Sequence, residues 1–372
     1  MRIGIDAHVL GKGIGGVERV VEQMTVWLPV LAPEHEFVIF VNRRAARARQ
    51  VAPGRNVSVV TLAVAHPLIE RSLVLPWLIR RHHLGALIVQ RLAPWGCGPC
   101  KLILTVHDLT PLKFPRDYRG LTNRLVRLLT RDSVRRAHLI LTPTRTVADE
   151  VKGRFGLERT PIHAYYNGVD TESFSPETCG SPDPVLAALG LKTPYVFSSG
   201  AIEARKNLET VYEAFARLPD DTPAELVVAG KVRDPSYAEA LERRARALGI
   251  APRVRRLGFV DEATLTALYR HAACFVTASR DEGFNIPPLE AMACGIPVIC
   301  SDIPVHRELF DGHAIFFAPD APAALAVAMA RLLAPSDLQR ELREGGLALT
   351  QQFSWRRAGE RIVAALREVL EA

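Results

Sequence analysis

Two glutamates stand eight positions apart in Asp281-Glu282-Gly283-Phe284-Asn285-Ile286-Pro287-Pro288-Leu289-Glu290, bracketing a Gly-Phe-Asn turn. Proline is tolerated in the first turn of a helix, so Glu282 is expected before a helix and Glu290 within it. Carboxylates accept hydrogen bonds from sugar and ribose hydroxyls, and the free N–H groups of a helix start donate others, so the segment suits a polyol lying along it. The bland alternative is a helix start carrying two surface acids.

A second group offers phosphate chemistry. Ser198-Ser199-Gly200 ends an apolar run, and Arg205-Lys206-Asn207 follows where the next helix should start. Two cations at the positive end of a helix suit a diphosphate leaving group; a solvated basic pair is the alternative. Gly11-Lys12-Gly13-Ile14-Gly15-Gly16 opens a helix carrying Val17, Val20, Val21 and Met24 at helical spacing. N–H groups around Gly15 and Gly16 could face an anion there. The segment also spells the dinucleotide fingerprint. Its first glycine comes five residues after Asp6, however, and the second strand ends in Val41-Asn42-Arg43 without the ribose-binding acid of a nicotinamide site.

His107 and Asp108 close the apolar run Leu102 to Val106, which puts both polar groups at a strand's end, where open α/β sheets bind ligands. A satisfied structural histidine is the competing reading. Cys97-Gly98-Pro99-Cys100 matches a thioredoxin tetrapeptide but runs into a strand rather than a helix, which argues against redox chemistry. Cys179, Cys274, Cys294 and Cys300 show no second paired spacing, so neither zinc nor any other metal is expected, and reduced thiols are. No Asp-x-Asp anchor occurs, so leaving-group charge would fall to Arg205, Lys206 and helix termini.

These residues need elements to hold them. Apolar runs at Ile3 to Ile5, Phe37 to Val41, Leu102 to Val106, Leu139 to Leu141, Tyr195 to Ser198, Leu226 to Ala229, Phe275 to Thr277 and Pro297 to Cys300 alternate with helical patterns, which argues for parallel, doubly wound sheets. A length of 372 residues exceeds what one core usually serves. The proline- and glycine-bearing stretch 173–193 reads as a connection. The expected organisation is an N-terminal Rossmann-like domain over 1–178, a second over 179–352, facing one another across a central cleft, and a last helix in 353–372 that crosses back to the first domain. The second half closes on helical stretches at Pro322 to Leu333, Ser336 to Gln351 and Ser354 to Leu370.

Hydrophobic content of 48% and a net charge of +7 describe a globular, basic chain whose field favours anionic ligands. Nucleic acid is not expected. Met1 leads straight into a strand without a signal peptide, and the apolar stretches fall short of the roughly 18 to 20 residues of a spanning helix, so a cytoplasmic protein is expected. Arg119, Arg124, Arg127, Arg131 and Arg135 recur among Leu121, Leu125, Leu128 and Leu129. With the Arg80-Arg81-His82-His83 cluster, they mark either a solvated face or a peripheral contact with the inner face of an anionic membrane.

The Glu282-x7-Glu290 element, followed by Ala291-Met292-Ala293-Cys294-Gly295-Ile296-Pro297-Val298, resembles glycosyltransferase family 4. The glycine loop, Val106-His107-Asp108-Leu109, Asn167-Gly168-Val169-Asp170 and Arg205-Lys206-Asn207 fall in that family's order and extend the resemblance over nearly the whole chain. It implies the GT-B fold and a retaining, metal-independent transfer of a hexose from a nucleotide diphosphate sugar to a glycan or lipid-linked acceptor. The nucleotide sugar would be a co-substrate, with no resident cofactor.

Implied donor contacts are Gly15, Gly16, Gly200, Arg205, Lys206, Glu282, Gly283, Phe284, Asn285, Ile286 and Glu290, with the loop Gly258, Phe259, Val260 at the nucleobase. His107, Asp108, Arg205, Lys206 and Glu282 would serve the reaction, Glu282 on a sugar hydroxyl and Glu290 on the ribose. Many members carry glycine where Asn285 stands; asparagine tolerates a left-handed backbone, so the turn should survive. The Ile-Asp-Ala-x-x-Leu and His-Asp-Leu-x-Pro-Leu segments look most like bacterial mannosyltransferases of polysaccharide and O-antigen assembly, which implies GDP-mannose. A GT-B sugar-nucleotide epimerase and a silent nucleotide-sugar binding subunit are the rival readings.

Overall fold

The structure, a computed structural model, describes residues 1–13, 15–48, 51, 54–62, 73–114, 121–176, 184–191, 194–219 and 221–371, with the side chains of 111 and 121–124 left out. The chain divides into two compact units, Met1–Gly168 with Trp355–Ala372, and Val169–Ser354.

The first unit is built on seven strands: β1 (Arg2–Ala7), β2 (Glu36–Asn42), β3 (Val57–Leu62), β4 (Ala86–Gln90), β5 (Lys101–Thr105), β6 (Leu139–Thr142) and β7 (Ile162–Ala164). They form one parallel sheet in the order β3-β2-β1-β4-β5-β6-β7. Strands β1, β2, β4 and β5 are buried nearly throughout, as an all-parallel sheet covered on both faces requires. The order reverses between β1 and β4, and the chemistry-bearing residues of this unit follow the C-terminal ends of β1 and β5. Leu75, Leu78, Ile79, Val134, Val147 and Val151 join one core cluster with residues of β2, β4 and β5. The helix Trp355–Leu370 packs on the helix Gly16–Leu31. At Gly359 an added Cβ would lie 2.7 Å from Leu31 Cδ1 and 3.0 Å from Trp27 Cβ, so glycine there lets the two helices meet.

The second unit holds β8 (Tyr195–Ser199), β9 (Glu225–Ala229), β10 (Val254–Gly258), β11 (Cys274–Thr277), β12 (Val298–Ser301) and β13 (Ile315–Phe317), parallel in the order β10-β9-β8-β11-β12-β13. Two of its helices start on side-chain caps: Asp261 accepts the Thr264 N–H and Ser336 that of Gln339. The helix Ile286–Ala293 carries its prolines in the first turn. All eight apolar runs read from the sequence are strands; β3, β4, β7, β10 and β13 add to them.

The units change at Gly168, ten residues before the expected 178. Residues 169–176 are not linker but part of the second unit. The Val169 N–H donates to Phe353 O at 3.0 Å, Phe174 is buried edge-on to the Tyr269 ring, and Arg270 donates to Ser175 O at 2.8 Å. Part of the stretch read as a connection, Pro184–Leu189, is a short helix, while 177–183 and Cys179 lie outside the described residues. Among the described residues no helix is long and apolar enough to cross a membrane.

Candidate functional site

In the second unit the centre of the candidate site is Glu282, 7% exposed, in the turn after β11. Its Oε2 lies 2.7 Å from an Arg205 guanidinium nitrogen and its Oε1 2.6 Å from Lys206 Nζ. The two cations do not begin a helix as expected. They sit in a 3-10 turn, Ala204–Lys206, closed by Asn207 in the left-handed conformation (φ 55°), and the helix Leu208–Phe215 starts only after it.

Asn207 is buried and pinned. Its Nδ2 donates to Ala278 O (3.1 Å) and Pro319 O (2.8 Å), while Arg280 donates to its Oδ1 (2.9 Å). Arg205 donates further to Asp281 O (2.6 Å) and Glu203 (2.8 Å). Two cations thus face two carboxylates. An arriving diphosphate would meet oriented N–H donors more than excess positive charge. Burial pushes the Glu282 carboxyl up, but the Arg205 and Lys206 charges outweigh it and hold the group well below the usual carboxylate range.

Asn285 occupies the left-handed position (φ 71°, ψ 78°) that opens the helix Ile286–Ala293, so the turn survives the exchange of glycine for asparagine. Its side chain points inward. Nδ2 donates to Thr277 Oγ1 (3.1 Å) and to His306 Nε2 (2.9 Å), and Oδ1 lies 3.4 Å from Lys206 Nζ. Its neighbour Phe284 is buried edge-on to the Phe353 ring.

Glu290, inside the helix, accepts a hydrogen bond from the Tyr269 hydroxyl at its Oε2 (3.0 Å), and Ser199 Oγ stands 2.8 Å from that hydroxyl. Burial, reinforced by Glu290, pushes the Tyr269 phenol well up, so it stays a proton donor. Gly200 follows Ser199 at the end of β8. A Cβ on Gly230, at the end of β9 with φ 152°, would fall 1.7 Å from Gly200 O, so only glycine fits there. The Gly230 N–H donates in turn to Gly258 O (2.7 Å) at the end of β10. Three adjacent strand ends are thereby tied together beside Lys206. Beyond Gly258, Phe259 is 69% exposed with the Lys231 ammonium 4.6 Å over its ring, and Val260 is half-buried.

In the first unit His107 follows β5 and is 8% exposed. Its Nε2 lies 2.7 Å from Gln90 Oε1 and its Nδ1 3.4 Å from the Tyr165 hydroxyl. Burial, with Arg91 adding to it, pushes its pKa down to about 4, so the imidazole is neutral at pH 7. Asp108 pairs with Arg91 (3.4 Å) and accepts the Thr110 N–H (3.0 Å).

The glycine turn ends at Gly15, whose φ of 81° starts the helix at Gly16. Glu18 from that helix accepts the Gly11 N–H at 2.6 Å, so a carboxylate already stands at this turn. Asn42, where a ribose-binding acid was missing, donates to His8 O (2.8 Å) and Leu10 O (2.6 Å) and so holds the turn against β2.

Glu203, Tyr269 and His306, together with Gln90 and Tyr165, are not among the residues that the sequence patterns single out. They act through side chains whose neighbours are distant in the chain, and no local pattern announces them. Cys97 and Cys100 are free thiols; burial pushes Cys97 up, and Cys100 to about 12, contrary to an activated pair. The basic helix is Leu121–Arg136, with Leu125, Leu128, Arg131 and Arg135 exposed; Arg119 lies outside the described residues. Among the described residues no group of three or more His, Cys, Asp or Glu side chains could hold a metal ion.

Comparison with known proteins agrees with this geometry. Residues 14–173 match the family model Glycosyltransferase Family 4, and 187–348 match Glycosyl transferases group 1. The O-antigen chain mannosyltransferase RfbU of Salmonella typhimurium is 30% identical over 217 residues, 58% of this chain and 56% of that one. The serotype-specific mannosyltransferase WbdA of Escherichia coli is 28% identical over 282 residues, 74% of this chain and 34% of that one. The chain therefore spans about half and a third of these relatives.

Among solved structures, sucrose-phosphate synthase from Thermosynechococcus elongatus superposes with a TM-score of 0.80 at 19% identity, covering 100% of this chain and 99% of that one. Anabaena HepE in complex with UDP and glucose gives 0.77 at 17%, covering 99% and 100%. Strand order, the placement of the Glu282-x7-Glu290 element and two family matches that together span most of the chain lead to one conclusion: the chain belongs to the glycosyltransferases, with a family 4 unit followed by a group 1 unit on the GT-B fold.

Proposed function

We propose that the chain is a retaining, metal-independent glycosyltransferase that moves mannose from GDP-mannose to a glycan or lipid-linked acceptor. The observation that carries this reading is the clasp of Glu282 by Arg205 and Lys206 at the strand ends, with Glu290 one helix turn and more beyond it. In this reading the nucleotide ribose hydrogen-bonds Glu290, which Tyr269 orients. N–H groups of Arg205 and Lys206 receive the diphosphate and stabilise its charge as the anomeric C–O bond breaks. Glu282 accepts a sugar hydroxyl while holding both cations. In the first unit His107, neutral at pH 7, keeps hydrogen-bonding capacity without charge. The two mannosyltransferase relatives support mannose as the transferred sugar.

Calorimetric titration with GDP, UDP, ADP and GDP-mannose in EDTA tests the donor. Selective micromolar binding of GDP and GDP-mannose is expected; tight binding of another nucleotide alone would move the donor, and none at all would end the reading. Acceptor-dependent release of GDP, with the product's anomeric configuration read by NMR, separates transfer from epimerisation and from silent binding. The protein works at the inner face of the membrane. Exposed Leu73 and Trp77 beside Arg80 and Arg81, and Leu125 and Leu128 beside Arg131 and Arg135, suit anionic lipid. Co-sedimentation with anionic but not neutral vesicles checks this.

A further inference from the structure

His306 lies in the helix Pro304–Phe310 after β12 and is fully buried. Its Nδ1 is 2.8 Å from Ser301 O, a carbonyl that can only accept, so Nδ1 carries the proton. Nε2 is then an acceptor, and it receives the Asn285 Nδ2–H at 2.9 Å. The second Nδ2 hydrogen goes to Thr277 Oγ1 at 3.1 Å. Together these bonds fix which way the Asn285 amide faces, with its Oδ1 toward Lys206 Nζ at 3.4 Å. A flipped amide would set N–H groups against the ammonium and an oxygen against an accepting ring nitrogen, two repulsive contacts. The far end of the chain is anchored too, because Ser301 Oγ donates to Ser279 O at 2.6 Å.

We propose that His306 is a positioning residue that acts through Asn285. By fixing the Asn285 amide it directs two Lys206 N–H groups onto Glu282 and Asn285 and leaves the third aimed at a phosphate oxygen of a nucleoside diphosphate. An ammonium has three donors and no preferred rotation of its own, so two fixed acceptors set the third direction. The inference rests on the reading of this unit as the nucleotide-sugar site. It also accounts for asparagine in a turn where glycine would be strain-free, since the amide makes three contacts glycine lacks.

The test is a double-mutant cycle read by calorimetric titration of the full chain with GDP, UDP and ADP. Asn285→Gly and His306→Leu should each weaken binding roughly fivefold, the worth of about one neutral hydrogen bond. The double variant should be no weaker than the worse single one, because the two residues form one path. His306→Gln, whose carbonyl can accept from Asn285, should recover most of the loss. Losses that multiply to roughly twenty-five-fold in the double variant would overturn the relay.

Should His306→Leu fail to fold, ring 15N shifts of the wild-type protein decide the matter: a neutral ring protonated on Nδ1 at pH 7 is expected, and a proton on Nε2 would overturn the proposal. If no nucleotide binds the wild type, the site reading fails, and the ring tautomer still decides whether the His306–Asn285 path exists.

Discussion

His107, after β5 in the first unit, and Glu282, after β11 in the second, each lie past the C-terminal end of an apolar strand in a parallel sheet, and each is less than a tenth exposed. They resolve the same burial problem in opposite ways. His107 has neutral hydrogen-bond partners, Gln90 and Tyr165, and burial, with the Arg91 charge adding to it, removes its own charge. Glu282 is gripped by Arg205 and Lys206 and keeps its own. Low dielectric penalises a lone charge and strengthens a paired one, so the partner, not the depth, sets the protonation state. The first unit thereby holds a neutral imidazole past its strand end and the second an ion-paired carboxylate.

The largest way to break this contrast is Glu282→Ala. Removing the carboxylate takes from Lys206 the anion it donates to and leaves Arg205 with Glu203 alone, so unfolding in urea should show a loss of about 3 kcal/mol. Glu282→Gln should be milder for stability, and sugar transfer should fall far more than affinity for bare nucleotide, because the cations remain and are less neutralised. Equal losses of both would remove Glu282 from the sugar.

Proton linkage sharpens the contrast next. His107 and His306 are each held neutral to about pH 4 by burial, against about 6.5 in an unfolded chain. Between those values the unfolded state binds more protons, so stability falls as pH drops from 6.5 toward 4, by about 3 kcal/mol for each histidine. Unfolding free energies across that range should show the slope, and His107→Gln should remove its share. A slope that persists unchanged would mean that His107 already titrates normally.

Smaller effects are expected at Glu290, the proposed ribose partner. Glu290→Ala should weaken nucleotide binding by about 1–3 kcal/mol, a hydrogen bond to a charged group. Tyr269→Phe should cost about 0.5–1.5 kcal/mol, appearing in KM rather than kcat, since it only orients Glu290. Titration and steady-state kinetics check both; a kcat loss in Tyr269→Phe would place the phenol nearer the reaction.

Much of this was written in the sequence. Apolar runs three to five residues long between helical patterns determine buried parallel strands, because such strands are covered on both faces. Local spacing also determined the placement of Glu282 and Glu290 around a helix start and the left-handed turn at Asn285. Strand β4, Ala86–Gln90, is equally apolar but follows closely on the basic cluster Arg80-Arg81-His82-His83, and its burial shows only in the assembled sheet.

What only the tertiary structure decided is partnership. That Arg205 and Lys206 grip Glu282 instead of capping a helix, that Tyr269 serves Glu290, and that His306 turns the Asn285 amide all depend on residues 20 to 80 positions apart meeting where adjacent strands end. Spacing along the chain encodes which face of an element a side chain occupies. The charge state and aim of that side chain are set by neighbours from other strands, and those are fixed only when the sheet is assembled.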